Sequence, residues 1–121
     1  MGLFDSILIK DNHIKHSQSI KYLVSMAKLN FPHLPIEIEV ENLEEFQEAL
    51  DAKTDIIMLD NFSYQNVKRA VEMNKNKAIL EASGNLTIKN LVQFASTGVD
   101  YLAIGKFTKD ITSLDFTMHV N

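Results

Sequence analysis

Residues 36–60, IEIEVENLEEFQEALDAKTDIIMLD, carry the pattern that decides the fold. Ile36-Glu37-Ile38-Glu39-Val40 and Ile56-Ile57-Met58-Leu59 are apolar runs of four or five residues, the length of strands buried in a parallel sheet. Between them, Asn42 to Ala52 has helical period and opens on Asn42 with Glu45 three residues on, a capping-box pattern. Strand, helix and strand in this order make a βα unit, and a parallel neighbour for the second strand.

The same alternation extends in both directions. Ile7-Leu8-Ile9, Ala78-Ile79-Leu80 and Tyr101-Leu102-Ala103-Ile104 are further strand candidates. Leu114, Phe116, Met118 and Val120 alternate with polar neighbours, as on a half-exposed final strand. Ile20, Leu23, Val24 and Ala27 make a helical stripe behind Ser17 or Ser19 as N-cap. Ser63 to Met73 aligns Val67, Ala70 and Val71, and Thr87 to Ala95 aligns Ile88, Leu91, Val92 and Ala95 before a stop at Gly98. The junctions Ala52-Lys53-Thr54-Asp55 and Thr97-Gly98-Val99-Asp100 read alike, which suggests repeated units. Met26, Met58, Met73 and Met118 fit core positions.

Five or six mostly parallel strands alternating with four helices define an α/β fold. A full (β/α)8 barrel takes about 250 residues, and the chain has 121. Either a small open sheet or a partial (β/α) barrel satisfies this count.

Composition narrows the function classes. The chain is 45% hydrophobic and 23% charged, with 16 acidic against 12 basic residues and a formal charge of −4. A nucleic-acid binder is expected to carry a basic face, so that class is disfavoured. No apolar run reaches the ~20 residues needed to span a bilayer, and the polar start lacks a signal-peptide layout. Without cysteine there is no disulfide framework or thiolate metal site, and a cytoplasmic protein is expected. Arg69 is the only arginine, and its helical position suits a solvated charge.

Polar groups gather where the strands end. Lys10 follows the first strand and Glu39 and Glu41 close the second; Asp60-Asn61, Glu81-Ala82-Ser83-Gly84 and Gly105-Lys106 close the next three. In parallel α/β folds these carboxyl ends share one rim, where ligands bind. Glu39 and Asp60 supply hard oxygen ligands suited to Mg²⁺. Ser83, Gly84 and Gly105 offer backbone N–H groups to a phosphate, and Lys10 adds a point charge for an anion. The set describes a site for a phosphorylated sugar with Mg²⁺. Plainer roles stand beside this: a solvated strand face for Glu37, Glu39 and Glu41, helix capping for Asp60 and Asn61, and an ordinary turn for Ser83-Gly84-Asn85. The four histidines show no ligand spacing; His13 alone sits at the rim.

Five blocks taken together resemble the quinolinate phosphoribosyltransferase family, also called nicotinate-nucleotide pyrophosphorylase (carboxylating). They are Leu8-Ile9-Lys10-Asp11-Asn12-His13, Ile38-Glu39-Val40-Glu41-Asn42-Leu43-Glu44, Ile57-Met58-Leu59-Asp60-Asn61, Leu80-Glu81-Ala82-Ser83-Gly84 and Gly98-Val99-Asp100-Tyr101. The resemblance implies a partial barrel and the formation of nicotinate mononucleotide, pyrophosphate and CO2 from quinolinate and phosphoribosyl pyrophosphate with Mg²⁺. It assigns Lys10 to the anionic substrates, Glu39 and Asp60 to the ribose hydroxyls and Mg²⁺, and Ser83, Gly84 and Gly105 to the 5′-phosphate. Lys10, Glu39 and Asp60 would then be the catalytic set.

The resemblance further implies that residues 1–121 form the C-terminal part of the barrel domain, without the N-terminal domain and first barrel strands. The arginines that grip the quinolinate carboxylates would lie in that other part, so the chain alone would be catalytically incomplete. A homo-oligomer is expected, and neither nucleic acid nor membrane as partner. Thr108-Lys109-Asp110 stands where the family tends to have Thr-His-Ser, and Asn85 replaces a commoner glycine. A paralogous enzyme of molybdenum-transport type and a non-catalytic half-barrel module are the other readings.

Overall fold

In a computed structural model, residues 5–10, 19–84, 86–104 and 116–120 are described. Six strands form one sheet in chain order: β1 (Ile7–Ile9), β2 (Ile36–Val40), β3 (Ile56–Asp60), β4 (Ile79–Ser83), β5 (Tyr101–Ile104) and β6 (Phe116–His119). The first five run parallel and β6 pairs antiparallel with β5. Helices α1 (Ile20–Asn30), α2 (Leu43–Asp51), α3 (Tyr64–Asn74) and α4 (Leu91–Ala95) fill the crossovers. The order β1 to β5 never reverses, whereas a doubly wound open sheet reverses at a switch point. The molecule is therefore a partial (β/α) barrel, with an inner and an outer sheet face.

Local chemistry starts the first three helices. Ser19 Oγ accepts from the Tyr22 N–H at 3.1 Å, Asn42 Oδ1 from Glu45 at 2.8 Å, and Ser63 Oγ from Asn66 at 3.2 Å. Glu45 reaches back to the N–H of Glu41 at 2.7 Å, one residue before the cap. The Asn74 amide closes α3 by bonding both the N–H and the carbonyl of Ala78, bridging the left-handed residues Lys75 and Asn76.

The fourth helix departs from the stripe expected over Thr87–Ala95. Thr87 and Asn90 hold each other in a separate turn, with the Thr87 N–H on Asn90 Oδ1 at 2.8 Å, and α4 begins only at Leu91. Ile88 and Val92 consequently face solvent, 69% and 80% exposed, and Phe94 supplies the buried contact. Met26 also lies outside the core, on the exposed side of α1, while Met58 is buried.

The core lies between helices and outer sheet face. Ile9, Ile38, Ile57 and Leu80 form one transverse row in register, and Val40, Leu59, Ala82 and Leu102 the next. Val24, Ala27, Phe46, Ala49, Val67, Ala70 and Phe94 close over them from the helices. At full burial each large side chain contributes about 1.5–3 kcal/mol, which makes this face the source of the fold's stability. No helix among the described residues is long and apolar enough to cross a membrane.

The two junctions that read alike also act alike. Asp55 Oδ2 accepts the N–H of Ile36 at 2.8 Å, and Asp100 Oδ2 accepts that of Leu80 at 2.9 Å. Each aspartate returns its own N–H to the same neighbour's carbonyl. Two residues earlier, Lys53 and Gly98 both have positive φ.

Candidate functional site on the inner face

Side chains of the other parity point to the inner face. Leu8, Glu37, Ile56 and Ile79 make the row nearest the amino ends of the strands. Glu39, Met58, Glu81, Tyr101 and His119 make the next, and Asp60 pairs with Ser83 at the carboxyl rim. Ile9 pairs with Ile38, so one further step along the ladder sets Lys10 level with Glu39. The expected residues Lys10, Glu39, Asp60 and Ser83 thus belong to one surface. Glu39, Asp60, Ser83 and Gly84 are half-buried and Lys10 is exposed. Gly105, like Asp11, Asn12, His13, Asn85 and Lys109, lies outside the described residues.

The solvated-face alternative fails for Glu37, which is 2% exposed. Ser6 Oγ donates weakly to its Oε1 at 3.4 Å, and its Oε2 has no donor among the described residues. Glu81, also buried, faces it across β3. Burial first, and the neighbouring Glu81 carboxylate second, push the Glu37 carboxyl up to about 7. Glu37 lies one row below Glu39, and Glu81 lies level with Glu39 and one row below Asp60.

The capping alternative for Asp60 and Asn61 also fails, because Ser63 caps α3. Asp60 keeps its side chain on the inner face as the last residue of β3. Glu39 and Asp60 stand on adjacent strands, one row apart. Among the described residues no three His, Cys, Asp or Glu side chains cluster into a complete metal cage. Two half-buried carboxylates on neighbouring strands are the kind of donor set that Mg²⁺ takes with substrate oxygens and water, so these residues fit that ion.

At the end of β4, Gly84 has φ +106, a conformation natural to glycine. A Cβ there would lie 2.7 Å from the backbone nitrogen of Asn61, so the absent side chain leaves room only for close backbone approach. Asn61 is itself left-handed, with φ 59, and donates its N–H to the Ser83 carbonyl at 3.0 Å. His119, exposed, packs its ring on Tyr101 at 4.8 Å, consistent with a packing role.

Sequence reasoning did not single out the Glu37–Glu81 pair or the role of Asn61. The parity of Glu37 with Glu39 was a usable signal for the first. Nothing local in sequence shows that Asn61 meets Gly84.

With this geometry in place, comparison with known proteins is informative. A family profile for the quinolinate phosphoribosyl transferase C-terminal domain matches residues 1–119. The chain belongs to that family. Among the family's members, a probable nicotinate-nucleotide pyrophosphorylase [carboxylating] of Synechocystis sp. is 41% identical over 124 residues, covering 99% of this chain and 42% of that protein. Its counterpart in Bacillus subtilis is 38% identical over 98% of this chain and 42% of its own length. The solved nicotinate-nucleotide pyrophosphorylase of Francisella tularensis superposes with a TM-score of 0.81 at 41% identity, covering 97% of this chain and 43% of that one. The quinolinate phosphoribosyl transferase domain described here therefore spans about two fifths of the length of these relatives.

Proposed function

We propose that the chain is the phosphoribosyl-binding part of an enzyme that makes nicotinate mononucleotide, pyrophosphate and CO2 from quinolinate and phosphoribosyl pyrophosphate. In this reading residues 1–121 are the C-terminal part of the barrel domain, and the N-terminal domain and first barrel strands lie outside the chain. The observation that carries it is the shared inner face on which Glu39 and Asp60 lead up to the Ser83–Gly84 turn.

The chemistry follows from that arrangement. Gly84, with Ser83 and Gly105, takes the 5′-phosphate through backbone N–H groups and a hydroxyl. Glu39 and Asp60 hold the ribose hydroxyls, and the same two carboxylates would hold Mg²⁺. When bound, Mg²⁺ offsets charge on the pyrophosphate leaving group. As the ribose–pyrophosphate bond breaks, C1 gains positive character, and the inner-face carboxylates stabilise that charge by position. Lys10 attracts the anionic substrates. Quinolinate carries two carboxylates that call for bidentate clamps, and the single arginine, exposed on α3, is not on the inner face. The chain alone therefore binds phosphoribosyl pyrophosphate without turning over quinolinate.

A homo-oligomer and a cytoplasmic location belong to the same proposal. The exposed apolar residues Tyr22, Met26 and Leu29 on α1 support the first, and the absence of cysteine is compatible with the second. Calorimetric titration with phosphoribosyl pyrophosphate, with and without Mg²⁺, together with an assay for nicotinate mononucleotide, tests the reading. Mg²⁺-dependent binding without product supports it. Absence of binding overturns the site, and robust turnover overturns the account of the missing clamps.

A further inference from the structure

We propose that Asn61 is a positioning residue that locks the Ser83–Gly84 turn in its ligand-accepting form and ties it to Asp60. The inference rests on the reading that this turn takes a phosphate. It deepens that reading by naming what shapes the turn.

Two adjacent strands leave the sheet at the same level, each by a left-handed residue. Asp60 and Ser83 are register partners, and the residues that follow them, Asn61 and Gly84, have φ 59 and +106. Outside glycine, asparagine is among the residues that adopt this conformation most readily. The Asn61 N–H adds the last rung between the strands, to the Ser83 carbonyl at 3.0 Å. Its side chain then lies over Gly84, with Cγ 2.7 Å from where a Cβ would project.

The competing use of Asn61 is already taken. Ser63 Oγ caps α3, and the Asn61 amide makes no hydrogen bond among the described residues. What remains for this side chain is its contact with the turn. Asn61 thereby couples two subsites: its backbone continues from the Asp60 carboxylate, and its amide fixes the direction in which the Gly84 peptide faces the rim. A different residue at position 61 would free the turn to rotate its N–H groups away from an arriving anion.

The test uses the chain itself with ribose 5-phosphate as probe, read by calorimetry and by the Gly84 amide resonance. In the wild-type chain the Gly84 resonance shifts on titration. Asn61→Ala, which disfavours the left-handed backbone and removes the amide, raises Kd about tenfold or more. Asn61→Gly keeps the backbone and the last rung but removes the cover, and raises Kd about fivefold. Both variants show a smaller Gly84 shift at saturation, with unchanged far-ultraviolet circular dichroism. A residue that only supported folding would lower the melting temperature and leave Kd and the Gly84 shift alone, and that result overturns the inference. If Asn61→Ala does not fold, Asn61→Gly decides, with wild-type affinity as the overturning outcome. A wild-type chain that fails to bind ribose 5-phosphate defeats the phosphate reading and this inference with it. Normal binding that neither variant alters defeats this inference alone.

Discussion

Glu37 and Glu81 are both buried on the inner face of the barrel, on the two strands that flank β3, and the Glu81 carboxylate adds to burial in holding the Glu37 carboxyl up. A carboxyl raised from 4.5 to about 7 binds its proton more tightly in the folded state than in the unfolded chain. The resulting stabilisation is complete below pH 4.5 and is lost as pH rises through about 7. Urea denaturation of the wild-type chain should therefore show a falling contribution across that window, of order 3 kcal/mol. Glu37→Gln mimics the protonated state and should remove this component. The difference between the two stability profiles isolates it from the other carboxylates, and parallel profiles would show that burial beside Glu81 does not raise the Glu37 carboxyl.

Asp55 and Asp100 do the same task at two points of the sheet, Asp55 accepting the N–H of Ile36 at the start of β2 and Asp100 that of Leu80, the second residue of β4. Replacing either by alanine leaves that N–H without its charged acceptor, at a cost of about 1–3 kcal/mol. The two sites share no partner, so the losses should add in the double variant. Asn in place of either aspartate retains an oxygen acceptor and should cost less than half as much. Thermal unfolding of the single and double variants checks both points, and ligand affinity should stay unchanged throughout.

Much of this architecture was legible because the residues that build it act locally. Ser19, Asn42 and Ser63 cap their helices through atoms three residues away, and the short apolar runs have the length and parity of buried parallel strands. The likeness of the two aspartate junctions was visible as well, and the structure gives it a physical cause. What could not be read depends on contacts between distant segments. The short α4 results from a Thr87–Asn90 turn competing with the helix. The burial of Glu37 depends on β4 bringing Glu81 alongside, and the left-handed Asn61 has meaning only once Gly84 lies against it. Glu39, Asp60 and Ser83 were recognisable as strand ends, but their common face follows from the register.

Gly98 marks the second of those junctions with φ +100, and a Cβ at this position would sit 3.1 Å from Val71 Cγ1 on α3. Gly98→Ala must accept both a disfavoured backbone conformation and a tight contact with a neighbouring helix. A loss of about 1–3 kcal/mol is expected, measured as a lower urea midpoint at unchanged m-value. Val71→Ala in the same chain removes the contact but not the backbone strain. It should therefore recover only part of the loss relative to its own single-variant cost.

Glu37, Glu39, Asp60 and Glu81 place four carboxylates on the inner face, and Lys10 is level with only one row of them. Carboxylates gathered in this way suit a cation or a cationic transition state. Asp60→Asn is nearly isosteric and keeps an oxygen acceptor, so it should change folding stability by less than about 1 kcal/mol. The same substitution should weaken Mg²⁺-dependent binding of phosphoribosyl pyrophosphate by at least about tenfold, or about 1.4 kcal/mol. Binding measured in chelator without Mg²⁺ should weaken less, because only the contact to the ribose hydroxyls is then lost. Glu39→Gln should behave alike, and the double variant should lose less than the sum of the two, since both carboxylates act on one ion. Full additivity in calorimetric titrations would mean that Glu39 and Asp60 serve separate ligands.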